Sequence, residues 1–104
     1  MDKAKVESAL LHAAADFVNR ESNRRSLITV TRVEMDDRGR GATIYISVFP
    51  DTQAKAALDF LSRSREDFRD YVREHIKMRG LPMFTFQQDP NIGGVVVGEE
   101  PPIA

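Results

Sequence analysis

Residues 42–48 of this chain alternate strictly between apolar and polar side chains, a pattern that leaves few folds open. Ala42, Ile44, Ile46 and Val48 share one side, and Thr43, Tyr45 and Ser47 share the other. A period of two belongs to an extended strand with one dry and one wet face, so the segment needs a partner strand and a covering layer. Pro50 stops it. Upstream, Leu27-Ile28-Thr29-Val30-Thr31-Arg32-Val33-Glu34-Met35 is rich in β-branched residues and reads as a first strand. Residues 36–41 have the composition of a turn, so the two strands pair antiparallel.

The covering layer reads as helical. Val6, Ala9, Leu10, Ala13, Ala14, Phe17 and Val18 follow the rhythm of one buried helical stripe, with Asp2 as its N-cap. Residues 19–26 lose that rhythm and form a loop. After Pro50, Asp51 or Thr52 is expected to cap a second helix that turns Ala54, Ala57, Leu58 and Leu61 inward. The pattern continues through Phe68, Tyr71, Val72, His75 and Ile76. A single helix over 52–79 would be far above average length, so a break is expected near residues 62–64, with Gly80 as the closing C-cap. Past Leu81-Pro82, residues 83–89 form a third strand with Phe84 and Phe86 inward. The order α-β-β-α-α-β predicts an α+β fold, a three-stranded sheet with helices packed on one face. Residues 1–90 form one domain, and 91–104 are a flexible Gly/Pro-rich tail in which Val95-Val96-Val97 could add a short edge strand.

The 104 residues suit one core. Without cysteine there is neither a disulfide framework nor a Cys-based zinc site. No apolar run reaches the length of a membrane span, and the first residues lead into no secretory apolar core, so a cytoplasmic location is expected. The net charge is only -1. Twelve of the 15 basic residues nevertheless fall in two windows, 20–40 and 63–79, each with four acids, and most of them are arginine. Arginine favours planar, bidentate contact with phosphate or carboxylate.

Two stretches carry a family resemblance. LITVTRVEMDDRGRGATIYISVF, residues 27–49, resembles the paired-strand signature of ribosome-binding factor A, a TVT-R-VE strand followed by an A-x-V/I-Y-V/I-S-V strand. Residues 60–89 carry a skeleton R-x-DFR-x-Y-V-x-x-x-I-x-x-R-x-x-P-x-x-x-F-x-x-D that is similar to the family's second half. The resemblance implies a type II KH-like domain. It also implies a non-catalytic, monomeric assembly factor that binds the small ribosomal subunit or its immature rRNA and assists maturation, without a cofactor. A GTPase that triggers release is a further partner it admits. The chain departs from the family in its turn, where Asp36-Asp37-Arg38-Gly39-Arg40-Gly41 replaces the usual Pro-Asp-Leu, and in a tail richer in glycine. Above all it departs at one joint: Ser64-Arg65-Glu66 stands where the family has an Ala-x-Gly kink, and no glycine occurs between Gly41 and Gly80. The kink is therefore expected to be weaker, or capped by Ser62 or Ser64. The Glu66 carboxylate would repel a phosphate from a backbone clamp of the KH kind.

Arg65, Arg69, Arg73 and Lys77 recur at every fourth position beside the apolar stripe of Phe68, Val72 and Ile76, with Arg63 and Arg79 at either end. Such a row can position a protein on phosphates. On charge alone, Glu66–Arg69, Asp70–Arg73 and Glu74–Lys77 pairing makes a solvated helix face the first reading; the resemblance reverses that order. Secondary contacts are Arg24, Arg25 and Arg40, from a group that also holds Arg20, Arg32 and Arg38. A hydrophilic hairpin whose Asp36 and Asp37 neutralise Arg38 and Arg40 is an equal alternative. Tyr45 and Phe49 could stack on bases, although Phe49 under the helices and Tyr45 at the sheet edge is the plainer expectation. His12 and His75 lack partners at metal-ligand spacing, and no catalytic motif is present. The rival functional readings are a KH-like protein–protein adaptor without direct RNA contact and, more remotely, a small enzyme.

Overall fold

A computed structural model describes residues 2–21 and 26–90. Helix α1 (Lys3–Glu21) is followed by strands β1 (Leu27–Met35) and β2 (Gly41–Phe49). After a 3-10 turn at Asp51–Gln53 come α2 (Ala54–Arg63), α3 (Arg65–His75) and β3 (Met83–Gln88). The element order is the one read from the sequence, and the fold is α+β. The tail beyond residue 90, with the edge strand expected at 95–97, lies outside the described residues.

The sheet order is β1-β2-β3, with β1/β2 antiparallel and β2/β3 parallel. A parallel neighbour needs a crossover, which α2 and α3 supply. Strand β2 is thus central, and its dry side, Ala42, Ile44, Ile46 and Val48, is buried throughout. The same alternation corrects two expectations. Phe49 falls on the open face and is 73% exposed instead of packing under helices, and Tyr45 lies mid-sheet, beneath the Arg32 guanidinium at 3.9 Å, not at an edge.

From α1, Val6, Leu10, Ala13, Ala14, Phe17 and Val18 are buried. Asp2 begins the helix as expected, its carboxylate accepting from the Ala4 N–H at 3.1 Å. Phe68 on α3 is fully buried where the layers meet. Its ring lies 5.3 Å from Phe17, 4.9 Å from Phe84 and 5.6 Å from Phe86, all edge-on. Such contacts add to the apolar area removed from water.

Strand β1 carries a bulge between Val30 and Arg32, which moves the inward side from Ile28 to Val33. Asp89, 2% exposed, ties it down. Its N–H donates to the Ile46 carbonyl at 2.7 Å, and its carboxylate accepts from the Thr31 hydroxyl at 2.6 Å and Arg32 Nε at 3.3 Å. The Asp that closes the family-like skeleton therefore links β1 to the end of β3.

The hairpin between β1 and β2 is built on Asp36. Its carboxylate accepts from the N–H groups of Arg38, Arg40 and Gly41, at 3.1, 2.8 and 2.9 Å, while Gly39 takes a φ of 70°. These donors, the Arg40 N–H foremost, hold the Asp36 pKa below its usual 3.8. Asp37 pairs with Lys3 at 3.1 Å and raises the lysine pKa.

Two helix boundaries differ from expectation. Helix α2 begins after the 3-10 turn, with no side-chain cap from Asp51 or Thr52. Helix α3 ends at His75, and Ile76 is extended (φ -131°, ψ 128°), so Gly80 caps nothing. The reason is packing. In the extended connection Ile76 and Met78 turn to the core, as does Leu81, while Lys77 and Arg79 face solvent. A continued helix would have put these apolar side chains on different faces.

Phe68→Ala should cost about 3–5 kcal/mol in urea-induced unfolding; a loss below about 1 kcal/mol would contradict its central place. A carboxylate with a depressed folded pKa stabilises above its unfolded pKa and loses that contribution as pH falls through the folded value. The Tm deficit of Asp36→Ala should therefore be full at about pH 6 and shrink toward about pH 3. A deficit that stays constant with pH would show that the charge on Asp36 is irrelevant to the hairpin.

Candidate nucleic-acid interface

The joint between α2 and α3 is the single residue Ser64, at φ -90° and ψ 7°. The break falls where the sequence put it, without glycine. The Ser64 hydroxyl bonds back to the Phe60 carbonyl at 3.0 Å and its carbonyl accepts from the Phe68 N–H at 2.9 Å. That hydroxyl serves the end of α2 and makes no cap for α3; Ser62 supplies none either. The first turn of α3 presents Glu66 and Asp67, which suit the helix dipole and oppose a phosphate at this end. The Ser64-Arg65-Glu66 joint thus sets two carboxylates, Glu66 and Asp67, beside the first-turn N–H groups that a backbone clamp would use.

The basic row is placed differently from a regular stripe. Arg65, Arg69 and Arg73 lie on α3, but Lys77 lies beyond its end in the extended connection. Arg69 is half-buried and donates from Nη1 to the Pro82 carbonyl at 3.1 Å, holding the α3–β3 connection against the helix. Arg73 pairs with Asp70 at 2.8 Å, both ends exposed, so the pair is weak. The expected Glu66–Arg69 and Glu74–Lys77 pairs do not form among the described residues. Arg69, Arg73, Lys77 and Arg79 meet around one cleft of about 660 Å³, lined besides by Ile76, Met78, Gly80 and Leu81. No acid among the described residues lines it. Arg63 closes α2 and Arg65 opens α3, both exposed and away from this cleft.

The second basic group is dispersed. Arg24 and Arg25 lie outside the described residues. Arg20 sits over the Tyr71 ring at 4.8 Å and bonds Glu21. Arg32 is held by Glu34, Asp89 and the face of Tyr45. Arg38 and Arg40 line a second cleft with Arg79, on the other side of the same connection. The structure therefore joins hairpin and helix cations through residues 78–81, a meeting that spacing along the chain did not show. Ile76-Lys77-Met78-Arg79 alternates with a period of two, and that signal was available in the sequence.

His12 and His75 are exposed, His75 stacked on Tyr71 with centroids 4.1 Å apart. Among the described residues no group of three or more His, Cys, Asp or Glu could hold a metal ion, and no helix is long and apolar enough to cross a membrane.

Residues 2–95 match the family profile of ribosome-binding factor A. Ribosome-binding factor A of Fervidobacterium nodosum is 34% identical over 73 residues, 69% of this chain and 58% of that protein. Its counterpart in Desulfitobacterium hafniense is 36% identical over 70 residues, 66% of this chain and 56% of the relative. The chain thus spans a little over half the length of these two relatives. The crystal structure of ribosome-binding factor A from Thermus thermophilus superposes with a TM-score of 0.76 at 27% identity, covering 84% of this chain and 94% of that one. A homology model of the Thermus thermophilus protein, fitted into a cryo-EM map of a 30S–RbfA complex, gives a TM-score of 0.73 at 28% identity, covering 83% and 93%. With the profile matching residues 2–95 and a relative 34% identical over 69% of its length, the chain belongs to the ribosome-binding factor A family.

Proposed function

We propose that this chain binds the small ribosomal subunit through its rRNA and assists maturation of that particle as a non-catalytic, monomeric cytoplasmic factor, with residues 1–90 as the binding module. The observation that carries this reading is the cleft of Arg69, Arg73, Lys77 and Arg79, whose lining holds no acid among the described residues and whose one carboxylate partner is the exposed Asp70 on Arg73. Four cations at one end of a small domain can follow successive phosphates without base-specific contacts. The complex of the Thermus thermophilus relative with the 30S particle supports the choice of partner. Arg63 and Arg65, exposed outside this cleft, and Arg40 in the neighbouring one are assigned as further phosphate contacts; Arg24 and Arg25 are assigned by sequence alone. A GTPase that triggers release would act on the bound state and needs no feature of this cleft.

A second reading, the adaptor, draws on Leu27 and Phe49. These are cross-strand partners on the open sheet face, 66% and 73% exposed. Salt separates the two. Four phosphate contacts predict a log–log slope of affinity against salt of about -3 to -4, whereas an apolar interface is nearly indifferent.

Arg73→Glu with Lys77→Glu is the informative variant, because Arg69 also holds the Pro82 carbonyl and its loss would disturb the fold. Co-sedimentation with small subunits at low salt should be lost while Tm stays within a few degrees. Unchanged co-sedimentation would overturn the rRNA docking, and a salt-independent interaction abolished by Phe49→Ser would favour the adaptor.

A further inference from the structure

The cleft between the β1–β2 hairpin and the α3–β3 connection holds about 770 Å³. Its floor is apolar, made by Val6, Met35, Met78 and Leu81, and its rim carries Arg38, Arg40 and Arg79. Nothing acidic among the described residues lines it. The two hairpin acids are already engaged, Asp36 with backbone N–H groups and Asp37 with Lys3. Among the described residues the three rim arginines have no carboxylate partner. Met35 is fixed from below, its N–H donating to Glu7 on α1 at 2.8 Å.

We infer that this cleft receives one unstacked RNA base together with its flanking phosphates; the inference rests on the proposed rRNA reading and deepens it. An oily floor under a cationic rim matches a nucleotide, whose ring faces are apolar and whose backbone is anionic. Methionine side chains adapt to a flat ring, and guanidinium planes both stack on bases and grip phosphate. The volume is that of a small-molecule site, so a duplex cannot enter it with its bases paired, and the occupant is a single-stranded segment. Continuity supports the same occupant. The two clefts share Met78, Arg79, Gly80 and Leu81, so one strand can pass from Arg73 and Lys77 across the connection to Arg40. An acidic protein segment would satisfy the arginines but would fill the floor only where an aromatic residue falls at the right spacing, whereas every nucleotide carries both a planar base and a phosphate.

The test uses the full chain with a single-stranded oligouridylate, the same strand carrying one abasic position, and a blunt RNA duplex, all read by fluorescence anisotropy. The intact strand should bind about tenfold tighter than the abasic one, the scale of one base stacked on a protein surface. Met78→Ser should erase that difference, and Arg79→Ala should weaken both strands. Equal binding of the two strands, a preference for the duplex, or a difference that survives Met78→Ser in a folded chain would overturn the proposal. If Met78→Ser fails to fold, 4-thiouridine cross-linking of the unsubstituted chain decides. Adducts on Met35 or residues 78–81 support the cleft, and adducts confined to residues 65–73 overturn it. Small-subunit sedimentation that persists when bases make no difference rejects the cleft alone. Base-dependent binding without subunit sedimentation keeps the cleft and rejects the proposed partner. Subunit binding with no affinity for either strand means that the chain docks on folded rRNA or protein without taking up a base, and overturns the inference.

Discussion

The placement of α3, and of the arginines it carries, depends on the Phe68 ring. It is wedged between Phe17 of α1 and Phe84 and Phe86 of β3, so α3 can neither roll nor slide without opening a void at the centre of the layer. With Phe68 and Val72 locked inward, Arg69 is fixed beside the core, and the connection that follows the helix lines one cleft with Arg38, Gly39 and Arg40 of the hairpin through residues 78–81. Apolar packing thus sets the geometry of a charged surface, although the charges themselves contribute little to stability.

The second constraint is where the acids go. Net charge is close to zero, and the clefts are basic because no carboxylate among the described residues lines them, although Glu66, Asp67 and Glu74 lie on α3 with the cleft arginines. Asp36 builds the hairpin, Asp37 holds Lys3, Glu34 and Asp89 hold Arg32, and Asp70 alone partners a cleft cation among the described residues. Arginines crowded in the sequence therefore end in different circumstances. Arg20 rests on the Tyr71 ring with its side chain still 60% exposed and Arg32 rests on Tyr45, while Arg38, Arg40 and Arg79 converge.

Much of this was legible in the residues. The alternation in β2, the stripe of α1, the Asp2 cap and the break at Ser64 all follow from local rules, and those rules suffice for the α+β order. Other features are non-local. The bulge at Thr31 exists because Asp89, some sixty residues on, closes on it, and the parallel placement of β3 is decided by the crossover. Phe49 shows a different failure, since its size suggested burial while its place in the period of two put it outside. Residues 76–79 are adequate helix formers, but Ile76 and Met78 gain more by turning to the core. That unwinding removed Lys77 from the helical row and created the clefts on either side of the connection.

Amide hydrogen exchange of the unsubstituted chain, free and bound to small ribosomal subunits, tests most directly whether this packing presents one basic end to RNA. New protection should appear at residues 38–41 and 69–81, with the amides around Phe68 slow in both states. Protection confined to the open sheet face at residues 43–49, with none at 69–81, would contradict it.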